Sequence, residues 1–268
     1  MVTEIRDHWQ AHAQQWSRIG SPLRPSDEDV ALMANWLGGQ PGHGLLLGVT
    51  AELTVLSDSL LAQDRDAAMI ARLWRPRTPQ QMARQGDWLA PVDDPDQFDF
   101  AAGDGSLNAI AYADEYVCLF ERLRERLRDG GLLLLRVFCT PEQAETPHAV
   151  LAAARRGDIG SFHAFKWRLA MAIVAQQGAD DANICVDRIY RQFQELVTDR
   201  AQLAASAGWL AADLDTIDVY RDSPTIYSFP TRSQLRAALP DYFEEIGSGS
   251  GSYELAERCP VIALRLRR

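Results

Sequence analysis

Three residues at the ends of apolar segments have the types and spacing of a site that holds ribose and adenine. Gly48 ends the first such segment, Asp64 ends a second one sixteen residues later, and Asp87 follows a third. A glycine turn before a helix leaves backbone N–H groups facing a ligand. An acid at the end of the second strand accepts hydrogen bonds from both ribose hydroxyls. A carboxylate after the third strand is placed to accept a bond from an adenine amino group.

The elements that would position these residues alternate along the chain. Apolar strand-like segments at 45–49, 60–63, 83–86, 98–102 and 132–139 alternate with helical patterns at 52–56, 67–74 and 114–128. Asp129-Gly130-Gly131 is expected to cap the last of these helices. Strands that are continuous apolar runs between helices indicate a parallel sheet covered on both faces. The fold class is therefore α/β, with a Rossmann-like, mostly parallel, seven-stranded sheet and helices on both faces.

Two other stretches interrupt or complete this pattern. A helical insertion that caps the sheet is predicted by helical patterns at 141–155, 161–177 and 183–207. A closing antiparallel hairpin is predicted by a helix at 232–239 and strands at 242–246 and 259–266. We expect one domain with an insertion. Its parts are an N-terminal helical lid (1–43), a cofactor-binding Rossmann-like core (44–140), the insertion as substrate cap (141–212) and the remaining core sheet (213–268).

Composition excludes several classes of protein. The net charge is −10 over 268 residues, and neither half of the chain is basic, which argues against a nucleic-acid partner. No run of about 18–20 apolar residues predicts a membrane span, and the N-terminus lacks a signal-peptide pattern. The four cysteines are far apart without a CxxC pair. This spacing predicts neither a metal site nor a disulfide framework and favours a reducing cytoplasm.

The same segments resemble the class I S-adenosylmethionine-dependent methyltransferases. The resemblance covers about residues 44–139 and 227–266. The motifs that carry it are LLLGVTAEL, LLAQDRDAAMIARLW, ARQGDWLAP, FDFAAGDGSLNAI, LRDGGLLLLRVF and YSFPTRSQLRAAL, in this order. One departure is at the first loop, where Leu46 stands in place of the usual acid and the glycine-rich GxGxG is replaced by Gly48-Val49-Thr50-Ala51-Glu52. That loop is similar to a variant found among small-molecule methyltransferases.

The resemblance implies a set of cofactor-binding residues for S-adenosyl-L-methionine and its product S-adenosyl-L-homocysteine. Asp64 would hold the ribose hydroxyls, with Arg65 and Met69 flanking the adenine. Asp87 would bind the adenine amino group, with Trp88 beside the ring. The methionine end would be lined by Gly103, Asp104, Gly105 and Ser106. In the variant loop, Gly48 would be joined by Thr50 and Glu52, whose side chains would replace glycine backbone contacts.

Candidates on the acceptor side lie outside these motifs. His163 and Trp167 are four residues apart on one predicted helix, with Phe162 beside them, and His163 is the candidate general base. Tyr112 follows the fourth-strand motif, and Arg136 needs a carboxylate partner from the protein or from a substrate. Trp16, in the N-terminal helix, either folds over the cofactor as a lid or packs on the core.

These observations predict an enzyme that transfers a methyl group from S-adenosylmethionine to a small molecule. Methyl transfer depends mainly on alignment and exclusion of water, and no catalytic dyad stands out in the sequence. Three alternatives remain. One is a protein of the same fold that binds S-adenosylmethionine or S-adenosylhomocysteine without turnover. Another is a nicotinamide-dependent oxidoreductase, although no GxGxxG follows the first strand. The third is methylation of a protein, which would need an exposed acceptor groove. The accepting atom and the oligomeric state stay open.

Overall fold

The computed structural model describes residues 20–39, 41–91, 96–178 and 181–267. Residues 1–19 of the predicted N-terminal helical lid, including Trp16, lie outside these ranges. The strands are β1 (His43–Leu47), β2 (Ser59–Asp64), β3 (Gln81–Gln85), β4 (Phe98–Asp104), β5 (Leu127–Arg136), β6 (Asn183–Cys185), β7 (Ile226–Ser228), β8 (Phe243–Gly249) and β9 (Val261–Leu266). The α-helices are α1 (Asp27–Leu37), α2 (Ala67–Leu73), α3 (Asp114–Arg126), α4 (Pro147–Arg155), α5 (Phe162–Ala175), α6 (Val186–Leu196), α7 (Arg200–Ala207), α8 (Ala211–Leu214) and α9 (Arg232–Ala237).

Seven strands form one sheet in the order β3-β2-β1-β4-β5-β9-β8. The first five are parallel, and β9 runs antiparallel to both of its neighbours. The predicted Rossmann-like sheet and its closing hairpin are therefore confirmed. The strand order reverses between β1 and β4, which opens a crevice at their carboxyl ends.

Helices cover both faces of this sheet because side chains of one strand alternate between them. Leu45 and Leu47 of β1 pack in the cluster that contains residues of α3, whereas Leu46 packs with residues of α1 and α2. The start of α1 is a capping box: Ser26 accepts a hydrogen bond from the Asp29 N–H, and the Asp29 carboxylate accepts one from the Ser26 N–H.

The insertion forms a separate apolar cluster around α5. Nearly every residue of this helix is buried, as is typical of a helix at the centre of a core. The cluster continues past residue 212, since Leu214, Ile217 and Tyr220 belong to it. We therefore propose that the insertion extends to β7 rather than ending at 212.

Three predicted helix boundaries are wrong. The helix predicted over 183–207 begins as strand β6, which pairs antiparallel with β7, and is then broken between α6 and α7, where Asp199 caps the second helix. The helix predicted from 141 begins at Pro147, because Thr146 caps it. Helix α3 ends at Arg126 rather than at the predicted Arg128, since buried Leu127 already pairs with Phe98 of β4.

One smaller correction concerns local structure. The segment predicted as a helix at 52–56 is a 3-10 helix, Ala51–Leu56. Within the described ranges, no helix combines the length and apolar character needed to cross a bilayer.

Candidate functional site

A cleft of about 1420 Å³, counting its open mouth, lies at the carboxyl ends of β1 to β4. Strand ends of the sheet form its floor, and Leu23, Trp167 and Tyr227 close it from the N-terminal segment and the insertion. The predicted cofactor residues that line it are Gly48, Thr50, Asp64, Arg65, Met69, Asp87, Trp88, Asp104, Gly105 and Ser106. The structure thus gathers ten residues that are widely spaced in sequence into one cavity.

Gly48 presents backbone without a side chain to the cleft, between the Asp64 carboxylate and the Trp88 indole ring. Its φ of 104° is in the region that favours glycine. A Cβ built there would lie 3.8 Å from Cζ2 of Trp88 and 3.9 Å from Oδ2 of Asp64. A side chain at Gly48 would fill the space between these two groups. The turn at Gly48 therefore suits a ligand that approaches the backbone closely.

Asp64 presents a carboxylate that is largely withdrawn from water. Its Oδ1 accepts a hydrogen bond from the Asp66 N–H at 2.9 Å, which orients the group at the end of β2. Burial raises the pKa of Asp64 above its ordinary value, and the bond from Asp66 opposes this rise. A partly dehydrated carboxylate gains strongly from new donors, as two ribose hydroxyls would be.

Asp87 and Trp88 are held in place by a residue that the sequence analysis missed. Oδ1 of Asp87 accepts a bond from the Leu89 N–H at 2.9 Å. The side-chain amide of Gln63 donates to the Asp87 carbonyl at 3.1 Å and accepts from Arg126 Nη1 at 2.8 Å. The available signal was a buried polar residue inside the otherwise apolar strand β2.

The loop after β4 approaches the cleft through its glycines and Ser106. Ser106 Oγ donates to the Leu47 carbonyl at 2.9 Å and so ties this loop to β1. A Cβ at Gly103 would overlap the Ser106 side chain, which makes Gly103 a packing position outside the lining. A Cβ at Gly105 would lie 3.0 Å from the ring of Phe138, so this loop directly adjoins an aromatic wall.

Arg136 contacts carboxylates of the protein rather than the cleft. It is fully buried, and its Nη1 lies 2.5 Å from Asp104 while its Nε lies 3.3 Å from Asp29 and donates to the Tyr253 hydroxyl. Burial disfavours its charge, yet the Asp104 carboxylate raises the pKa of Arg136 above its ordinary value, so it stays protonated. The interpretation of Arg136 as a substrate contact is not supported, because its partners come from the fold.

Glu52 is also placed differently from the expectation. It forms an ion pair with Arg24, whose Nε lies 2.6 Å from its Oε1, and it is not among the residues that line the cleft. In the variant loop, therefore, Thr50 borders the cavity. Glu52 instead holds the segment that contains Leu23, through its ion pair with Arg24.

Only one of the described acceptor-side candidates borders the cleft. Trp167 lines it, whereas Tyr112, Phe162 and His163 do not. His163 is buried on α5, so its interpretation as a general base finds no support in this arrangement. Phe162 packs on Phe165 inside the insertion.

Tyr112 joins the core to the insertion instead of contacting the cavity. Its backbone N–H donates to the Asn183 side chain at 2.8 Å, and its carbonyl accepts from the same amide at 2.6 Å. This pairing helps to explain why Asn183 starts a strand rather than a helix.

The aromatic wall of the cleft was largely missed. Phe138 and Tyr227 line it with Trp167, and Asn108 braces this wall by donating to the Phe138 carbonyl and accepting from its N–H. The position of Phe138 just beyond the end of β5 was a usable signal. Nothing in the sequence near Tyr227 indicates that it packs against Trp167, sixty positions earlier.

The described ranges contain no cluster of three or more His, Cys, Asp or Glu side chains arranged to hold a metal ion. The cleft has charges of mostly one sign: its acidic lining residues are Asp64, Asp66, Asp87, Asp104 and Glu115, and its basic lining residue is Arg65.

Solved structures share this architecture. The methyltransferase CcbJ from Streptomyces caelestis matches with a TM-score of 0.55 at 12% identity, over 97% of this chain and 98% of that one. The N-methyltransferase NodS from Bradyrhizobium japonicum WM9, crystallised with S-adenosyl-L-homocysteine, matches with a TM-score of 0.51 at 12% identity, over 98% and 100%. A protein from Rhodobacter sphaeroides described as a Zn-dependent alcohol dehydrogenase matches with a TM-score of 0.62 at 12% identity, over the full length of both chains.

No protein-family model and no curated protein matches the sequence. At these identities the similarities show a shared fold. Together with the strand order and the closing hairpin, they define the fold of the class I S-adenosylmethionine-dependent methyltransferases.

Proposed function

We propose that this protein binds S-adenosyl-L-methionine in the cleft and transfers its methyl group to a small molecule. The observation that carries the proposal is the convergence of Asp64, Asp87 and the bare backbone of Gly48 on one cavity. The Asp64 carboxylate accepts from the ribose hydroxyls, and Trp88 and Met69 border the adenine. S-adenosyl-L-homocysteine in the NodS crystal structure supports the same ligand class for this fold.

The charge of the cleft favours this ligand over a nicotinamide dinucleotide. Five acidic side chains and Arg65 line the cavity, which suits a sulfonium cation. A dinucleotide carries a diphosphate, whose recognition normally uses a glycine-rich helix start or basic side chains. Like charges at short range disfavour the wrong ligand by repulsion.

When bound, S-adenosylmethionine supplies an electrophilic methyl group: an acceptor lone pair bonds to the carbon while the carbon–sulfur bond breaks and its electron pair remains on sulfur. The residues of this chain orient the reactants and exclude water. The loop Asp104–Ser106 fixes the methionine end, and Phe138 and Trp167 form an apolar wall beside it. Such positioning and desolvation provide most of the acceleration in a displacement of this kind.

A small-molecule acceptor fits the cleft better than a polymer. The insertion contributes Trp167 and Tyr227 to its wall, and the N-terminal segment contributes Leu23, so the space is enclosed on several sides. The net charge of −10 disfavours a nucleic-acid substrate.

Calorimetric titration with S-adenosylmethionine, S-adenosylhomocysteine and NAD tests the ligand. We expect the first two to bind and Asp64→Asn to weaken them about 10- to 100-fold, the equivalent of hydrogen bonds to a charged group at roughly 1.5–3 kcal/mol. Asp58→Asn is the matched control, since Asp58 is exposed beside the opposite end of the same strand. Tight NAD binding, or equal effects of both substitutions, would overturn the proposal.

Transfer of a labelled methyl group distinguishes an enzyme from a binding protein. We expect label to move from S-adenosylmethionine to at least one compound in a mixture of small metabolites, in an amount that scales with protein. Binding without any transfer across a broad acceptor panel would instead favour the non-catalytic alternative.

A further inference from the structure

Arg126 stands at a position of helix α3 where the pattern of the helix favours an apolar side chain. The buried face of α3 carries Tyr116, Leu119, Phe120 and Leu123. Arg126 follows Leu123 by three residues, so it lies on the same face, and it is only 3% exposed. The side chain of Arg124, two residues earlier, is half exposed. Burial of a guanidinium costs free energy, so the position of Arg126 calls for an explanation.

The contacts of Arg126 show where its charge is directed. Its Nη1 donates a hydrogen bond to Oε1 of Gln63 at 2.8 Å, and its Cζ lies 5.1 Å from the ring centroid of Phe98. Within the described part of the chain, its Nε and Nη2 have no hydrogen-bond partner. Burial lowers the pKa of Arg126, but a guanidinium stays charged in proteins. The guanidinium is therefore placed to hold the side chain of Gln63.

Gln63 transmits this restraint to the loop after β3. A guanidinium can only donate, so the amide of Gln63 turns its oxygen towards Arg126 and its nitrogen the other way. There Nε2 of Gln63 donates to the Asp87 carbonyl at 3.1 Å. Gly86 provides the room for this bond, since a Cβ built on it would lie 2.6 Å from the same nitrogen. The amide of Gln63 is thus restrained at both ends.

The loop held in this way carries a carboxylate of the cleft. Asp87, Trp88 and Leu89 all line the cavity. Oδ1 of Asp87 accepts a bond from the Leu89 N–H at 2.9 Å, so the direction of the carboxylate follows the backbone of the loop. Hydrogen bonds weaken steeply when their distance and angle change. A displaced backbone at Asp87 would therefore weaken any bond that its carboxylate makes to a ligand.

We propose that Arg126 is a positioning residue for selection of the base: through Gln63 it holds Asp87 where the carboxylate accepts a hydrogen bond from the amino group of adenine. The cleft then prefers adenine over a base with an oxygen at that place. This inference rests on the proposed function and adds a determinant of its cofactor selectivity. Arg126 itself is not among the residues that line the cleft, so it acts through Gln63.

The probe pair for the test is S-adenosylhomocysteine and S-inosylhomocysteine, in which an oxygen replaces the amino group of the base. Both are titrated calorimetrically. We expect the unaltered protein to bind the adenine compound about 10- to 100-fold more tightly, because the inosine compound loses a hydrogen bond to a charged group. In Arg126→Met this ratio should fall about three- to tenfold, with the affinity for S-inosylhomocysteine nearly unchanged.

Three further variants separate positioning from a general loss of structure. Arg126→Gln keeps a polar side chain but is too short to replace the guanidinium, so its ratio should fall as well; it gives the same comparison if Arg126→Met does not fold. Arg126→Lys keeps a positive donor and should retain the ratio within about threefold. Arg124→Met removes the same charge from an exposed position of the same helix and should leave the ratio unchanged.

A double-mutant cycle tests whether the effect passes through Gln63. Gln63→Met removes the amide that joins Arg126 to Asp87, so it should lower the ratio at least as much as Arg126→Met does. Residues that act along one path are not additive. The variant with both substitutions should therefore lose no more selectivity than Gln63→Met alone.

Four results would overturn the inference: equal binding of both compounds by the unaltered protein, an unchanged ratio in Arg126→Met or Arg126→Gln, an equal loss of affinity for both compounds in these variants, or additive losses in the cycle. If S-adenosylhomocysteine does not bind to the unaltered protein at all, the proposed function itself is wrong.

Discussion

The backbone carbonyl of Gln63 accepts a hydrogen bond from the indole Nε1 of Trp88 at 2.6 Å and a second one from the Gly48 N–H at 2.9 Å. One carbonyl at the end of β2 thus joins the turn after β1 to the indole that follows β3. The side chain of the same Gln63 holds the Asp87 carbonyl. The turn after β1 and the loop after β3, which both border the cleft, therefore share a single positioning residue in β2.

Trp88→Phe should weaken S-adenosylhomocysteine binding about two- to tenfold, because it removes one hydrogen bond that orients the ring. The stability cost should be about 0.5–1.5 kcal/mol, since the Gln63 carbonyl keeps its bond from Gly48. Calorimetry and urea unfolding measure the two effects. Trp209→Phe loses a comparable hydrogen bond at a residue that does not line the cleft, so it should lower stability without changing affinity. A similar loss of affinity in both variants would contradict this role for Trp88.

Gly48→Ala should lower stability by about 1–2 kcal/mol and abolish measurable binding of S-adenosylhomocysteine. The φ of 104° is strained for alanine, and the new methyl group occupies the space between Trp88 and Asp64. Gly130→Ala is the control, because Gly130 has a φ of 73° with no atom within 4 Å of a built Cβ. It should show the backbone cost alone and retain full affinity. If Gly48→Ala bound S-adenosylhomocysteine at the native affinity, the backbone without a side chain at position 48 would not be needed for binding.

Asp64→Asn should make the free protein more stable at pH 7 while it weakens ligand binding. Burial raises the pKa of Asp64 in the folded state. The native protein therefore binds this proton more tightly than the unfolded chain, and stability falls as pH rises from the ordinary aspartate range through the raised pKa. Above that pH window, the ionised Asp64 carboxylate lowers the free energy of unfolding by a constant amount. Asparagine, which carries no charge, removes this loss. Urea unfolding between pH 3 and pH 8 should show the two proteins converging at the acidic end. A constant difference at every pH would contradict this assignment.

The free energy of unfolding of the native protein should rise between about pH 7 and the ordinary pKa range of lysine. Lys166→Met should abolish this rise. Lys166 is buried, with its ammonium 3.1 Å from Thr216 Oγ1 and beside the rings of Phe162 and Tyr220. Burial lowers the pKa of Lys166 to about 7. The unfolded chain binds this proton at higher pH than the native state does, so stability increases with pH across that window by at most about 1.4 kcal/mol per unit. Urea unfolding from pH 6 to pH 10 measures the slope, which the variant should lose.

Arg136→Met should lower stability by about 3–5 kcal/mol, because it leaves the buried carboxylates of Asp29 and Asp104 without their cation. Arg128→Met is the comparison, since the Arg128–Asp99 pair is exposed to solvent and should contribute no more than about 1 kcal/mol. Thermal unfolding monitored by circular dichroism measures both. Equal small losses would show that Arg136 is not a buried structural cation.

Local patterns along the chain were sufficient for much of the framework. Apolar runs separated by helical periodicity predicted the parallel strands, because this alternation depends on interactions a few residues apart. The positions of Asp64 and Asp87 at strand ends predicted that both residues line one cleft, and they do. Parallel strands bring their carboxyl ends to one edge of the sheet.

The aromatic wall of the cleft depends on contacts between segments that are distant in the sequence. Trp167 meets Phe138, twenty-nine positions earlier, and Tyr227, sixty positions later, and neither distance has a periodicity that reveals it. The residues of strand β6 were predicted to be helical from local patterns. They form a strand because they pair with β7, which is distant in the sequence. Arg136 shows the same limit: its type and apolar surroundings predicted a need for a carboxylate. Only the packing of α1 and the end of β4 against β5 determined that Asp29 and Asp104, rather than a substrate, provide it.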